Sequence, residues 1–75
     1  MRLTADEIKY FREALGLSQG QLAKEIGISP VMLGFIERGE RTLSTVVAMN
    51  AAKALYEASN HVLEVSATLR KLAGN

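Results

Sequence analysis

The residues best placed to do chemistry are Arg12 and Glu37, because each puts a full charge on an otherwise apolar helix face. Arg12 interrupts a stripe made by Ile8, Phe11 and Leu15, and Glu37 lies beside Leu33 and Ile36. Burying a lone charge is costly, so the two either meet as an ion pair or reach outward as separate surface charges. Paired, they are structural rather than catalytic. The chain shows no nucleophile with a base, no carboxylate pair and no phosphate-cradling loop, so no enzymatic activity is expected. It has no cysteine and a single histidine, His61, which points to no metal site and no cofactor.

The elements that must position these charges are written in the run Gln19 to Arg38, QGQLAKEIGISPVMLGFIER. Leu22, Ala23 and Ile26 form one apolar helix face, since residues three and four apart lie side by side on a helix. Leu33 and Ile36 form a second. Between them Gly27 can take the left-handed conformation that ends a helix, and Ser29 with Pro30 reads as an N-cap followed by a first-turn proline. Two helices joined this way make a helix-turn-helix, whose second helix is commonly laid in the DNA major groove.

The stretch LSQGQLAKEIGISPVMLGFIERGER resembles the DNA-binding domain of phage repressors and Xre-type bacterial regulators. Its pieces fall in order: Arg12, Ser18-Gln19, Leu22-Ala23, Gly27, Ser29 and Ile36-Glu37-Arg38-Gly39, over roughly Ile8 to Leu55. The resemblance implies an all-α, compact five-helix lambda-repressor-like domain with a central helix-turn-helix, occupying the single domain 1–75. It also implies that Arg12 and Glu37 form a salt bridge joining helix 1 to the recognition helix.

For DNA, the resemblance places base-reading side chains at the positions of Pro30, Val31, Gly34 and Phe35, next to Ser29. Here those four are apolar or bare, so none offers a side-chain hydrogen bond to a base edge. Counting about 100° per residue from Leu33, Val31, Phe35 and Arg38 fall opposite the core. Val31 and Phe35 can pack on thymine methyl groups, with Gly34 allowing close backbone approach and DNA shape adding specificity. Alternatively the apolar outer face of helix 3, with Met32, binds protein, or Phe35 folds onto its own domain. Phosphate contacts are implied for Gln19 at the start of helix 2, and for Arg38, Arg41 and Thr42 around the end of helix 3. Glu40 among them works against this.

Four helix starts carry capping signals. Thr4 with Glu7 and Ser18 with Gln21 are capping boxes, and Leu3, Leu17 and Ile28 can staple to Ile8, Leu22 and Leu33. Ser29 and Ser44 are simpler caps, and Gly16, Gly27 and Gly39 sit where helices should end. Helices are predicted at about 4–15, 18–26, 29–38 and 44–58, a core of 4–58. A turn at Ser59-Asn60 and a fifth helix at about 61–73 follow. On it Val62, Val65, Leu69 and Leu72 recur at three and four, a narrow seam that either pairs with a second copy or folds back over its own domain.

Seventy-five residues form one small domain. Nine Lys and Arg stand against eight Asp and Glu, a net charge of +1. Many DNA-binding domains are distinctly basic because phosphate neutralisation supplies much of their affinity. A monomer of this chain should therefore bind DNA weakly, and dimerisation would matter. No uncharged stretch is longer than Thr42 to Ala52, far short of the roughly 20 residues that span a bilayer. MRLTADE lacks an apolar signal core, so a soluble, cytoplasmic protein with no membrane partner is expected.

The function expected is a homodimeric, sequence-specific regulator binding a roughly palindromic double-stranded operator. It is expected to act as a repressor of the phage-repressor, controller-protein or antitoxin type. With no sensor domain in the sequence, control would come from concentration or from a regulatory protein partner. The alternative is a protein-interaction module on the same fold.

Overall fold

The computed structural model describes residues 2–74, and of Val65, Ser66, Ala73 and Gly74 only the helical backbone. Four helices follow one another: α1 (Ala5–Ala14), α2 (Gln19–Ile26), α3 (Pro30–Glu37) and α4 (Thr45–Gly74). The class is all-α.

Each start is set by a side-chain cap that satisfies amides the helix cannot. The hydroxyls of Thr4 and Ser18 accept from the Glu7 and Gln21 amides, while those two side chains accept from the cap amides. Ser29 accepts from the Met32 amide at 3.0 Å, and Ser44 from the Val47 amide at 3.1 Å. Leu3, Leu17 and Ile28, each preceding a cap, pack against the core that holds Ile8, Leu22 and Leu33. The caps therefore fix where each helix begins and the direction from which the chain approaches it.

Between α2 and α3 only three residues intervene. Gly27 takes φ 88°, and the Ala23 carbonyl accepts from both the Gly27 and Ile28 amides at 2.9 and 3.0 Å. A side chain there would be strained, so the tight turn depends on glycine. The core gathers Ile8 from α1, Leu22, Ala23 and Ile26 from α2, Leu33 and Ile36 from α3, Leu43, and Ala48, Ala51 and Leu55 from α4. At the other end of the chain Arg2 ties the N-terminal strap to the start of α4. It donates to the Leu43 carbonyl at 2.6 Å and to Thr45 Oγ1 at 2.7 Å.

The predicted break at Ser59-Asn60 and the separate fifth helix at 61–73 are corrected: α4 runs unbroken for 30 residues. Ser and Asn each cost a helix only some tenths of a kcal/mol relative to Ala, too little to stop propagation. No glycine supplies a left-handed C-cap there and no proline blocks continuation. Moreover the apolar spacing does not change phase at the junction. Ala48, Ala51, Leu55, Ala58, Val62, Val65, Leu69 and Leu72 alternate steps of three and four throughout. One stripe thus begins in the core and leaves it. Every described residue from Asn60 to Leu72 is exposed.

The projection shows in the dimensions. A compact chain of this length has a radius of gyration of about 11 Å, whereas this one has 14.1 Å and extents of 49 × 24 × 19 Å. No helix of the described residues is long and apolar enough to cross a membrane.

Candidate nucleic-acid interface

Helix α3 is fixed from behind by Glu37. Its Oε2 accepts from Arg12 Nε at 2.8 Å and its Oε1 from Arg12 Nη2 at 3.0 Å, a bidentate pair between two buried residues. Arg12 Nη1 also donates to the Leu17 carbonyl at 2.8 Å, so one guanidinium holds α1, the α1–α2 turn and α3 together. Glu13 lies 3.9 Å from it on the exposed side. Burial alone would raise the Glu37 pKa, but the hydrogen bonds from Arg12 and Gln19, and the charges of Arg12 and Lys9, outweigh it and lower it. The Arg12 pKa is raised, first by its hydrogen bond to Glu37, against the opposing effect of burial.

Gln19, half-buried at the start of α2, turns inward rather than outward: its Nε2 donates to Glu37 Oε1 at 3.0 Å. A carboxylate can only accept, which fixes the amide nitrogen toward Glu37. The carboxamide thereby lies over Gly34. A Cβ at Gly34 would stand 3.6 Å from both Gln19 amide atoms and 3.1 Å from Arg38 Nη1. Gly34 is consequently buried beneath two polar side chains and offers no bare backbone.

Arg38 caps the C-terminal end of α3 and reaches back along it. Its guanidinium carbon stands 5.3 Å from the Phe35 ring centroid, and its Nε donates to Glu40 Oε2 at 2.7 Å. The chain turn after α3 makes this pairing available. Gly39 takes φ 78°, the Glu40 amide donates to the Phe35 carbonyl at 2.8 Å, and the Gly39 amide to that of Ile36 at 3.0 Å. This Schellman closure folds Glu40 back beside Arg38.

The remaining candidates divide by position. Val31 is 65% exposed, whereas Phe35 is half-covered and Met32 half-buried against the core. Ser29 and Pro30 are exposed at the first turn of α3, with the Ser29 oxygen engaged by the Met32 amide. Arg41 and Thr42 are exposed in the segment leading to α4, whereas the Arg38 head turns back over Gly34. Val62, Leu69 and Leu72 are exposed on the projecting half of α4, far along the chain from α3; the side chain of Val65 lies outside the described residues. Among the described residues no cluster of His, Cys, Asp or Glu could hold a metal ion.

Two links were not legible in the sequence. Gln19 and Glu37 are 18 residues apart and meet only through the fold. Arg38 and Glu40 are two apart, a spacing at which helical side chains do not face each other, and they pair because the helix has ended.

Residues 8–55 match the family described as Helix-turn-helix, which is well over half of the chain. The chain belongs to the Xre-type helix-turn-helix family. Within it, a relative from Bacillus subtilis (strain 168), described as the uncharacterized HTH-type transcriptional regulator YazB, is 44% identical over 48 residues. That match covers 64% of this chain and 70% of the relative. No solved structure matches significantly. The family segment closes at Leu55, the last residue of the buried core, so the projecting half of α4 lies outside it.

Proposed function

We propose that this Xre-type helix-turn-helix chain is a sequence-specific, double-stranded-DNA-binding transcriptional regulator that works as a homodimeric repressor. Its α3 would lie in the major groove of each half of a palindromic operator. The observation that carries this reading is the rigid hold on α3 from behind, by Arg12, Glu37 and Gln19, with its outer side facing solvent at Val31 and Arg38. The family match and the relative described as a transcriptional regulator support it.

In this reading Val31 meets thymine methyl groups, and Arg41, Thr42 and Ser29 meet phosphates. The Gln19 and Gly20 amides add to these, since the α2 capping box occupies only those of Ser18 and Gln21. The rival reading, a protein-docking face at Val31, Met32 and Phe35, is disfavoured, because Met32 packs inward and Arg38 lies over Phe35.

Selection of bound sequences from a random double-stranded DNA pool tests the proposal. Enrichment of a site with two-fold symmetry, with affinity falling as salt rises, supports it. No enrichment at low salt would overturn it.

A further inference from the structure

The outer face of α3 lacks hydrogen-bonding side chains at Pro30, Val31, Gly34 and Phe35, yet it is not bare. Two polar head groups from elsewhere, those of Arg38 and Gln19, lie over Gly34. Side chains on a helix point toward its N-terminus and cover the preceding turn. Arg38 follows this rule, so its head sits near the middle of α3, where a base-reading side chain of residue 34 would otherwise be. Resting on the proposed DNA-binding function, we infer that Arg38 is a specificity-determining residue that reads guanine in the major groove.

The placement of its donors argues for this over a phosphate contact. Arg38 has five N–H groups. Nε is taken by Glu40 at 2.7 Å, and the guanidinium carbon stands 5.3 Å from the Phe35 ring centroid. What remains is the terminal edge carrying Nη1 and Nη2, two donors held in one plane, which is the pattern that meets guanine O6 and N7 together. The exposed Glu40 carboxylate, by accepting from Nε, biases the head toward this orientation before DNA arrives. Against a phosphate the same carboxylate would bring like charges close together and weaken the contact. Gly34 leaves the space this arrangement needs, since even a methyl group there would approach Nη1 to 3.1 Å.

The test compares the wild-type chain with Arg38→Lys on the site that wild type selects from a random DNA pool. Lysine keeps the charge but loses the planar two-donor edge. Wild type should select a guanine at one fixed position of each half-site, preferred over other bases about 5- to 100-fold. It should lose most of that preference when 7-deazaguanine removes the N7 acceptor. Arg38→Lys should flatten the preference at that position while leaving the salt dependence of binding unchanged. An unchanged base preference in Arg38→Lys overturns the inference, as does an equal loss on all four bases, which would make Arg38 a phosphate ligand. In both cases the wild-type site still stands and the DNA-binding function with it. If wild type selects no site, the function itself fails and takes this inference with it.

Discussion

Glu37 Oε1 accepts from two elements at once, Arg12 Nη2 of α1 and Gln19 Nε2 of α2, both at 3.0 Å. The carboxylate thus joins three helices at one oxygen, while its second oxygen takes Arg12 Nε. No buried side-chain nitrogen or oxygen among the described residues lacks a partner. Such a pair stabilises little compared with good apolar packing, yet breaking it leaves an uncompensated buried charge. Arg12→Met and Glu37→Leu should each cost about 3–5 kcal/mol. The double variant should be milder than either alone, as measured by urea unfolding. Two single variants that unfold like wild type would show that the pair contributes nothing.

Acid should expose the same relationship. The Glu37 pKa is lower in the folded chain than the ordinary value near 4.5. Its contribution is therefore fully present above that ordinary value and is lost as pH falls through the lower, folded one. Wild type should lose stability below about pH 4.5 more steeply than the Arg12→Met, Glu37→Leu double variant, which carries neither charge. Parallel pH profiles in denaturant midpoint would contradict this.

Gly34 separates stability from recognition. Alanine is favoured over glycine in a helix interior by about 1 kcal/mol. The added methyl would stand 3.1 Å from Arg38 Nη1, which can move because it ends a flexible side chain. Gly34→Ala should raise the melting temperature of the free protein while weakening its guanine preference on DNA. A variant that is stabilised and binds with unchanged base preference would show that the Arg38 head need not lie where the structure has it.

Val31 supplies the apolar part of the proposed readout. Replacing thymines of the selected operator with uracil removes only methyl groups and should weaken wild type at the contacted positions. The Val31→Ala variant should be nearly indifferent to the exchange. Equal affinity of wild type for thymine and uracil operators, in gel shift or fluorescence anisotropy, would reject the methyl contact.

Much of this fold is readable because its signals are local. Thr4 with Glu7 and Ser18 with Gln21 mark helix starts from four residues each, and the three-and-four spacing of Leu22, Ala23 and Ile26 marks a buried face. The site is less readable. Gln19 turns away from solvent because Glu37 offers a better acceptor, and Glu40 orients Arg38 only after Gly39 has folded the chain back. The end of α4 is misread for a different reason. The propensities of Ser59 and Asn60 are weak, whereas the unbroken apolar stripe from Ala48 to Leu72 carries the stronger information.

That stripe leads to the last prediction, dimerisation through the projecting half of α4. From Asn60 onward every described side chain is exposed, including Leu69 at 61% and Leu72 at 79%. An exposed apolar stripe on a helix that has left its own core is the kind of surface that a partner covers. A second copy brings the same seam, repeating near 3.5 residues, which suits two helices packed side by side. The seam lies away from α3 in the chain, so pairing there would leave both recognition helices available for successive half-sites about one DNA turn apart. Changing Leu69 and Leu72 together to Glu should give a folded monomer in sedimentation equilibrium. Operator binding should fall about 10²- to 10⁴-fold as the linkage of two half-sites is lost. Because neither leucine touches the core, the unit built from α1–α3 and the first half of α4 should stay folded, melting lower than wild type only by what dimerisation adds. A variant that remains dimeric, or a wild type that is monomeric at all concentrations while binding the operator tightly, would remove α4 as the dimer seam.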